Sequence, residues 1–470
     1  MSGVLPDKYE AVIGLEIHVQ LKTRTKMFCG CELSFGDDPN IHTCPVCLAH
    51  PGSLPVINEQ AVRYGLQIGI ALGCEIAPRS IFHRKNYFYP DNPKAYQISQ
   101  YDIPLATAGR LGDVRIHRVH LEEDAAKLVH VGESGRIHGS GASLVDFNRG
   151  GTPLVEIVTE PDLRDPAAAR EWLQLLRTTV KAIGASDVNM EEGSLRCDAN
   201  VSIRPTGTEE LGVKTELKNM NSFRFIERGI EAELARQLEL VESGEGVSQE
   251  TLHFDPRTGA LTSLRSKEEA HDYRYFPEPD LVPIAPTEEM LSDAREALPE
   301  LPEARQERYA GELALTAAQA RQLAYDGELG EFFESALAAG EATAAGLANW
   351  VTGEPTTRDL SPSQLAGLVA LVEQGKVTNQ VGREVLARMV ADGGDPAEIV
   401  EREGLGKVED TGALEAIVAA AIEAHPAEAE KVKGGTGQAI GPIVGYVMRE
   451  TKGAADGGEV TKLIRAKLGL

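Results

Sequence analysis

The sequence has 470 residues, of which 42% are hydrophobic and 25% are charged, and this composition predicts a globular protein with a sizeable core. No apolar run approaches the roughly 18 residues of a membrane-spanning helix, and no signal-peptide pattern opens the chain, so we expect a cytoplasmic protein without a membrane partner. The formal net charge of −25 argues against general coating of nucleic acid, although it leaves binding through a local basic patch open.

Two sequence patterns divide the chain. Residues 1–292 consist of short alternating runs separated by glycines and prolines, which predicts an antiparallel sheet with long loops and one helix at about 222–241. The rest of the chain is alanine-rich with leucines at helical spacing, which predicts short helices of bundle type. We therefore expect an α+β fold with a sheet domain over residues 1–292, a helical domain over 293–405 and a separable tail domain over 406–470.

Helix boundary signals support the helical assignment. Ser361 begins a capping box with Pro362 at the first helical position, and Thr378 and Asp395 are further predicted N-caps. Gly393 lies where a helix is predicted to end.

The first predicted strand, residues 12–21, separates its side chains between two faces. Leu15, Ile17 and Val19 share one face because successive side chains of a strand alternate, whereas Glu16 and His18 share the other. Taken alone, a strand of this kind more often has an ordinary polar face exposed to solvent.

The same pattern recurs in three other segments. Residues 195–203 carry Asp198 on their polar face, residues 213–218 carry Glu216, and residues 119–124 end in three consecutive acids. A solvated face would show more lysine, threonine and serine, whereas carboxylates with an occasional imidazole are ligands for hard cations such as Mg²⁺. The recurrence predicts a convergent acidic site, with plain solvent exposure as the remaining alternative.

Two loops supply positive charge. Residues 84–91 place Lys85 beside aromatic residues and a turn, and residues 146–153 place Arg149 beside two glycines. Glycine lets backbone amides approach phosphate closely, and the cations neutralise it. Neither loop has the Walker P-loop spacing, and a loop of either kind, taken alone, is more often a structural turn.

Four cysteines form two close pairs, Cys29 with Cys31 and Cys44 with Cys47, each beside a glycine or proline. This spacing is typical of a tetrahedral zinc site with four thiolates, which leaves no open position for catalysis. The alternative is four free buried cysteines. No Gly-x-Ser-x-Gly elbow and no amidase-like serine with a partnered lysine is found.

Several segments then resemble one known family, the B subunits of the aspartyl/glutamyl-tRNA amidotransferase. The matching segments are residues 12–21, 84–93, 144–162, 191–200, 216–219 and 272–280. The resemblance implies a cradle-shaped antiparallel sheet followed by a helical domain and a tail like the small YqeY proteins. It also implies partners: a glutaminase A subunit and a small C subunit in a heterotrimer.

The implied reaction converts Glu-tRNA(Gln) or Asp-tRNA(Asn) to the amide form. ATP and magnesium phosphorylate the side-chain carboxylate, and ammonia from the A subunit then displaces phosphate. This assignment agrees with the absence of a glutaminase nucleophile in the sequence. It leaves the choice between the Gln and Asn tRNAs open.

The resemblance also implies residue roles. Glu16, His18 and Glu123 would bind magnesium, with Glu122 close by. Asp198 and Glu216 would share the pocket and bind a second ion or position ammonia. The residues implied to contact ATP phosphate are Lys85 and Arg149, together with the neighbouring Asn148, and Cys29, Cys31, Cys44 and Cys47 would hold structural zinc.

The last 40 residues carry seven Lys or Arg against three acids, an excess that fits binding of one RNA shape at one place.

Two rival interpretations of the protein's function remain. One is a metal-dependent phosphohydrolase or small-molecule amide ligase that acts without tRNA. The other is a noncatalytic tRNA-binding subunit whose acidic face is merely solvated.

Overall fold

The structure is a computed structural model that describes residues 5–131, 140–266, 273–406, 411–451 and 453–470. The chain forms two compact units, Met1–Pro302 and Glu303–Leu470. Asp272 of the last matching segment and Lys452 of the basic tail lie outside the described residues. Among the described helices, none combines the length and the apolar character needed to cross a membrane.

The strands of the first unit, in chain order, are β1 Tyr9–Gln20, β2 Glu75–Ile76, β3 His83–Asn86, β4 Tyr96–Ser99, β5 Ala106–Leu111, β6 Val114–Glu123, β7 Lys127–Val131, β8 Ala142–Asp146, β9 Pro153–Thr159, β10 Leu195–Pro205, β11 Thr215–Met220, β12 Glu250–Phe254, β13 Leu261–Ser266 and β14 Phe276–Pro277. Its helices are α1 Glu59–Ala71, α2 Pro166–Ile183, α3 Phe223–Ser243 and α4 Glu288–Glu296.

Nine strands form one sheet in the order β13-β12-β11-β10-β1-β9-β6-β5-β2. Neighbours are antiparallel except for β11 and β12, which are parallel. The predicted alternation in β1 is confirmed, because Leu15, Ile17 and Val19 are at most 1% exposed while the side chains between them are partly open. The predicted α+β class and N-terminal sheet domain are likewise confirmed.

Side-chain caps begin the helices that pack beside this sheet. Asn58, Asp165 and Ser222 each accept a hydrogen bond from a backbone amide in the first turn of α1, α2 and α3. Gly184 and Gly244 end α2 and α3 with φ of 75° and 80°, a conformation that residues with a Cβ rarely adopt.

A smaller sheet in the order β14-β3-β4 lies in the same unit, and β7 and β8 form a hairpin. Arg84 of β3 holds the segment after β14 in place, since its guanidinium donates to both carboxylate oxygens of the buried Glu278 at 2.7 Å. Charge-assisted, two-pronged contacts of this kind fix position strongly. They set the position of Lys85, the next residue of β3.

The second unit consists of helices α5 Pro302–Gly311, α6 Ala317–Tyr325, α7 Gly327–Ala338, α8 Ala344–Gly353, α9 Pro362–Glu373, α10 Asn379–Asp392, α11 Pro396–Glu403, α12 Thr411–Ala424, α13 Pro426–Lys433, α14 Gly441–Glu450 and α15 Gly457–Lys467, with short 3-10 turns at Pro355–Asp359 and Gly437–Ile440. The predicted caps at Ser361, Thr378 and Asp395 are confirmed by hydrogen bonds from first-turn amides.

The second unit has two apolar cores. One runs from Tyr309 to Leu405 and the other from Leu414 to Ile464. The expected boundaries at 292/293 and 405/406 stay predictions, and residues 292 and 293 both lie within α4. This helix packs on α1, so the first compact unit extends to Pro302.

Candidate active site

The polar face of the large sheet brings its acids together through strand register. His18 of β1 lies opposite Glu156 of β9, and His120 of β6 lies opposite the same Glu156. On the other side of β1, Glu16 lies opposite Asp198 of β10. Residues directly opposite each other in an antiparallel pair are close enough for their side chains to interact.

These side chains border a cavity of about 270 Å³, here called the acidic pocket. Its lining includes Glu16, His18, His120, Glu156 and Glu216. Of the residues expected to contact phosphate, Lys85 also lines it, with its ammonium 4.8 Å from the ring centre of Tyr273. Of the residues expected at one site, Glu16, His18, Glu216 and Lys85 thus line the same pocket.

Three neighbouring side chains form a metal-capable trio: His18 and Glu156, which line the pocket, and the buried Glu122 beside them. The His18 Nε2 atom lies 3.4 Å from Glu122 Oε1 and 3.5 Å from Glu156 Oε2, and one donor atom from each residue lies within 4.8 Å of the others. An octahedral magnesium ion with bonds of about 2.1 Å separates adjacent ligands by about 3.0 Å. Small side-chain shifts would therefore fit the trio to Mg²⁺.

Electrostatics already favour the charged forms in this trio. Burial lowers the pKa of His18, but its hydrogen bond to Glu156 and the charges of Glu156 and Glu122 outweigh burial and raise that pKa to about 9. Burial raises the pKa of Glu156, yet the charges and hydrogen bonds of His120 and His18 lower it well below its usual value. The metal-free site thus holds a proton on His18 where a cation would bind.

We expect that proton to compete with metal. Below a pH of about 9, His18 is an imidazolium in the metal-free protein, so binding of a divalent ion must release its proton. The dissociation constant for Mn²⁺ should fall by up to about tenfold per unit as pH rises from 7 to 9 and then level off. Titration calorimetry in buffers of different ionisation enthalpy measures the proton release, and an affinity independent of pH would contradict this expectation.

His120 contacts both carboxylates of the trio. It is 3% exposed, and its Nε2 lies 3.2 Å from Glu156 Oε2 and 3.8 Å from Glu122 Oε2. Its Nδ1 atom has no hydrogen-bond partner among the described residues. Two imidazoles therefore flank two buried carboxylates, and contact with His120 restricts the orientation of the Glu156 carboxylate.

The ammonium group of Lys218 bridges the carboxylates of Asp198 and Glu216. The Lys218 ammonium lies 2.8 Å from Asp198 Oδ2 and 3.3 Å from Glu216 Oε1. Glu216 also accepts a hydrogen bond from Thr251, and Lys218 faces the acidic pocket. A second metal ion between these two carboxylates would have to displace Lys218.

Glu123 lies apart from Glu16 and His18. It follows Val119 and Leu121 in the alternation of β6, and both of those side chains are fully buried on the apolar face. Glu123 instead accepts hydrogen bonds from the Lys94 ammonium at 2.6 Å and the Ile98 amide at 3.0 Å. The structure therefore brings Glu122, not Glu123, to the imidazole of His18.

Asn148 and Arg149 are engaged in loop contacts. The Arg149 guanidinium donates to the carbonyl oxygens of Ala125 and Ala126. Asn148 donates to the Asp38 carbonyl oxygen and accepts from the His42 amide. Within the described residues, neither side chain lines the acidic pocket, so the structure separates them from Lys85.

The four predicted zinc ligands do come together. The sulfur atoms of Cys29, Cys31, Cys44 and Cys47 lie within 4.8 Å of one another. Cys44 Sγ and Cys47 Sγ are 3.9 Å apart, and tetrahedral zinc with bonds of about 2.3 Å separates its sulfurs by about 3.8 Å. A hydrogen bond from Cys29 and the nearby charge of buried Lys26 lower the pKa of Cys47 to about 4. The cluster could hold a zinc ion.

Reasoning from the sequence missed two residues at the trio, Glu156 and His120. Glu156 is the only charged residue of β9, and a single carboxylate within an apolar strand is a signal that could have identified it. His120 alternates with Glu122 in β6 and could have been assigned to the same face as that acid.

Comparison with known proteins places the chain in a class. A family model described as "GatB/GatE catalytic domain" matches residues 11–292, and one described as "GatB domain" matches residues 331–468. The first match contains the sheet and the acidic pocket, and the second contains most of the helical unit. The chain is thus a catalytic domain of this class joined to a characteristic helical region.

Curated relatives identify the family within the class. Proteins named as the B subunit of the aspartyl/glutamyl-tRNA(Asn/Gln) amidotransferase are 49% identical in Geobacter sulfurreducens, 48% in Anaeromyxobacter dehalogenans and 45% in Persephonella marina. Each alignment covers 98% of this chain and at least 99% of the relative. The chain belongs to the family of B subunits of the aspartyl/glutamyl-tRNA(Asn/Gln) amidotransferase, which confirms the resemblance found in the sequence.

Proposed function

We propose that this chain phosphorylates the side-chain carboxylate of Glu-tRNA(Gln), Asp-tRNA(Asn) or both, using ATP and Mg²⁺, and then forms the amide with ammonia. The observation that carries the proposal is the trio of His18, Glu122 and Glu156. Two of its members, His18 and Glu156, line one pocket together with Lys85 and Lys218. Phosphoryl transfer needs mainly positioning and positive charge, and this pocket offers both.

The trio would hold the metal, because its two carboxylates and imidazole are donors suited to a hard cation. Mg²⁺ bound there would supply the charge that neutralises the phosphate oxygens during transfer. Lys85 at the pocket edge would bind a phosphate oxygen, and His120 would keep Glu156 oriented. Glu16, held by the Asn200 amide at 2.8 Å, would complete the acidic wall.

The group formed by Asp198, Lys218 and Glu216 would serve the second step. Ammonia attacks the acyl phosphate, phosphate leaves, and the nitrogen must lose a proton to become a neutral amide. Asp198 or Glu216 could accept that proton as a general base. The Lys218 ammonium would stabilise negative charge on the phosphate as it departs.

The proposal includes partners. Ammonia would come from a glutaminase A subunit, with a small C subunit completing a heterotrimer, and the substrate would be the misacylated tRNA. Zinc in the cysteine cluster would be structural, since four thiolates complete its coordination. The protein would act in the cytoplasm.

ATP turnover tests the proposal directly. In the assembled complex, ATP hydrolysis and amide formation should rise when Glu-tRNA(Gln) or Asp-tRNA(Asn) is added, and uncharged tRNA serves as the control. ATP hydrolysis that does not change when aminoacyl-tRNA is added would support the interpretation of the chain as a phosphohydrolase or a small-molecule ligase. Absence of any turnover with an active A subunit would support a noncatalytic tRNA-binding subunit.

Lys218 gives a sharper prediction. We expect Lys218→Met to reduce amide formation by roughly 10²–10³-fold, the usual effect of removing one electrostatic contact to a developing charge. Lys218→Arg keeps the charge and should retain part of the activity. Chemical unfolding of both variants separates this loss from destabilisation, and full activity in a folded Lys218→Met protein would contradict the role.

The basic tail gives a second prediction. Truncation of the chain after Leu405 removes the separate core of residues 414–464 and all the Lys and Arg residues of the tail. We expect tRNA affinity to fall roughly tenfold or more and its salt dependence to become shallower, because fewer phosphates are neutralised. Filter binding at several salt concentrations measures both quantities. Unchanged affinity would rule out the tail as a tRNA contact, and Mn²⁺ binding to the trio checks that the sheet domain remains folded.

A further inference from the structure

A buried polar cluster lies between α3 and the large sheet, on the side away from the acidic pocket. Thr215 begins β11 and, because side chains of a strand alternate, faces opposite to Glu216, which lines the pocket. Thr215 contacts Glu233 and Gln237 of α3, and all three side chains are fully buried. These three residues, here called the α3 cluster, have no role in the steps above.

The hydrogen bonds of the α3 cluster converge on the carboxylate of Glu233. Its Oε1 atom accepts from the Thr215 hydroxyl at 2.7 Å and from the Gln237 side-chain amide at 2.8 Å. The Arg236 guanidinium donates to both carboxylate oxygens, at 2.8 and 2.9 Å, and also pairs with Glu250 of β12 at 3.3 Å. One carboxylate therefore ties α3 directly to β11 and, through Arg236, to β12.

Gln237 extends the α3 cluster to a third strand. Its amide nitrogen donates to the carbonyl oxygen of Val201 in β10 at 3.0 Å, and Val201 lies opposite Thr215 in the pairing of β10 with β11. The Gln237 Oε1 atom is buried and has no hydrogen-bond partner among the described residues, which costs free energy. The α3 cluster thus holds the start of β11 in its register with β10.

Stability alone gives little reason for a charged group at this position. Removal of a carboxylate from water offsets most of what an ion pair gains, and apolar side chains of similar volume often stabilise a core better. Hydrogen bonds are directional, however, so a buried polar cluster can select one register where apolar packing would tolerate a shift. This difference points to placement of β11 as the role of Glu233.

The pairing of β10 with β11 is irregular beside Lys218. Ala199 lies opposite Leu217, and Cys197 lies opposite Met220. Over this interval β11 has one residue more than β10, which is a β-bulge. A bulge disrupts the hydrogen-bonded ladder locally, so the ladder constrains Lys218 less than it would in a regular pair. An anchor elsewhere on β11 would compensate for this loss.

The α3 cluster is close enough to be that anchor. Thr215 and Lys218 are three residues apart on one extended strand, with Thr215 bonded to Glu233 and Lys218 lining the acidic pocket. A shift of Thr215 along the strand would carry Lys218 with it, and a shift of one residue corresponds to about 3.3 Å. The contacts of the Lys218 ammonium at 2.8 and 3.3 Å would not survive such a movement.

We propose that Glu233 is a positioning residue, which fixes β11 through Thr215 so that the Lys218 ammonium stays between its two carboxylates. The inference rests on the role proposed for Lys218 in amide formation and extends that role to the opposite face of the sheet. The metal-capable trio lies on β1, β6 and β9. Loss of Glu233 should therefore impair amide formation without weakening metal binding by the trio.

Two variants test the positioning role in the assembled complex. Glu233→Gln removes the charge, and Thr215→Val removes the hydroxyl at nearly constant volume. Each should lower the rate of amide formation roughly 2- to 100-fold, the usual range for coupled neighbours, and leave the Mn²⁺ affinity unchanged. Thr215→Ser keeps the hydroxyl and should retain most of the activity. Glu239→Gln, on the exposed side of the same helix, is the matched control and should have no effect.

Combination of each variant with Lys218→Met separates positioning from a merely structural effect. If Glu233 acts through Lys218, Glu233→Gln should change the residual rate less than twofold in Lys218→Met protein, and the same holds for Thr215→Val. A merely structural effect would lower the rate by the same factor in both backgrounds. Chemical unfolding checks that each variant is folded. If Glu233→Gln does not fold, Thr215→Val, which leaves the carboxylate with Arg236, gives the same test.

The outcomes are distinguishable. Equal factors in the two backgrounds, or full activity of folded Glu233→Gln and Thr215→Val proteins, would overturn the positioning role alone and leave the proposed function in place. Full activity of folded Lys218→Met protein would overturn the role proposed for Lys218 and this inference with it.

Discussion

Replacing His18 with alanine is expected to lower Mg²⁺-dependent ATP turnover by roughly 10²–10³-fold or more, because the trio loses its imidazole ligand. Glu156→Gln should have a similar effect, since the amide keeps the shape of the side chain and removes the charge. Turnover is measured in the assembled complex with saturating aminoacyl-tRNA, and Mn²⁺ affinity is measured by calorimetry on the same proteins.

The matched control is His130→Ala. His130 lies in the β7–β8 hairpin and contacts Ser143, outside the acidic pocket. This variant removes the same kind of side chain and should leave turnover and Mn²⁺ affinity unchanged. Retention of both in folded His18→Ala protein would exclude the trio as the metal site and revive the interpretation of this face as merely solvated.

The cysteine cluster should hold one zinc ion for each chain, and Cys44→Ser combined with Cys47→Ser should lose it. Binding of structural zinc contributes about 10–16 kcal/mol in small zinc peptides at neutral pH, so loss of two thiolates should unfold the loop between β1 and α1 locally. Buried Lys26, whose ammonium lies 3.7 Å from Cys47 Sγ, would also lose its anionic neighbour. Elemental analysis measures the zinc content, and limited proteolysis measures how readily the loop is cleaved.

Cys74→Ser is the control for this experiment. Cys74 is a partly buried cysteine outside the cluster, so its replacement should retain zinc and protease resistance. Substoichiometric zinc in the unmodified protein would contradict the metal assignment. It would leave four free thiols as the remaining interpretation.

The sequence by itself determined features that depend on local rules. The alternation of Glu16 and His18 with Leu15 and Ile17 followed from strand geometry, and the helix caps followed from the hydrogen bonds that free first-turn amides require. The clustering of the cysteines also followed from short spacing beside tight turns. Each of these features is encoded within one short stretch of the chain.

Only the tertiary structure decided which residues share the acidic pocket. Glu122 and Glu123 are adjacent in sequence and alternate between the two faces of β6, but only the pairing of β6 with β9 brings the first beside His18. Glu156 joined the site because β9 pairs between β1 and β6, a long-range arrangement that no local pattern contains. Lys218 likewise lies beside Asp198 because the strands β10 and β11 pair. Contacts between distant strands depend on pairing and face, and both are settled only when the whole sheet forms.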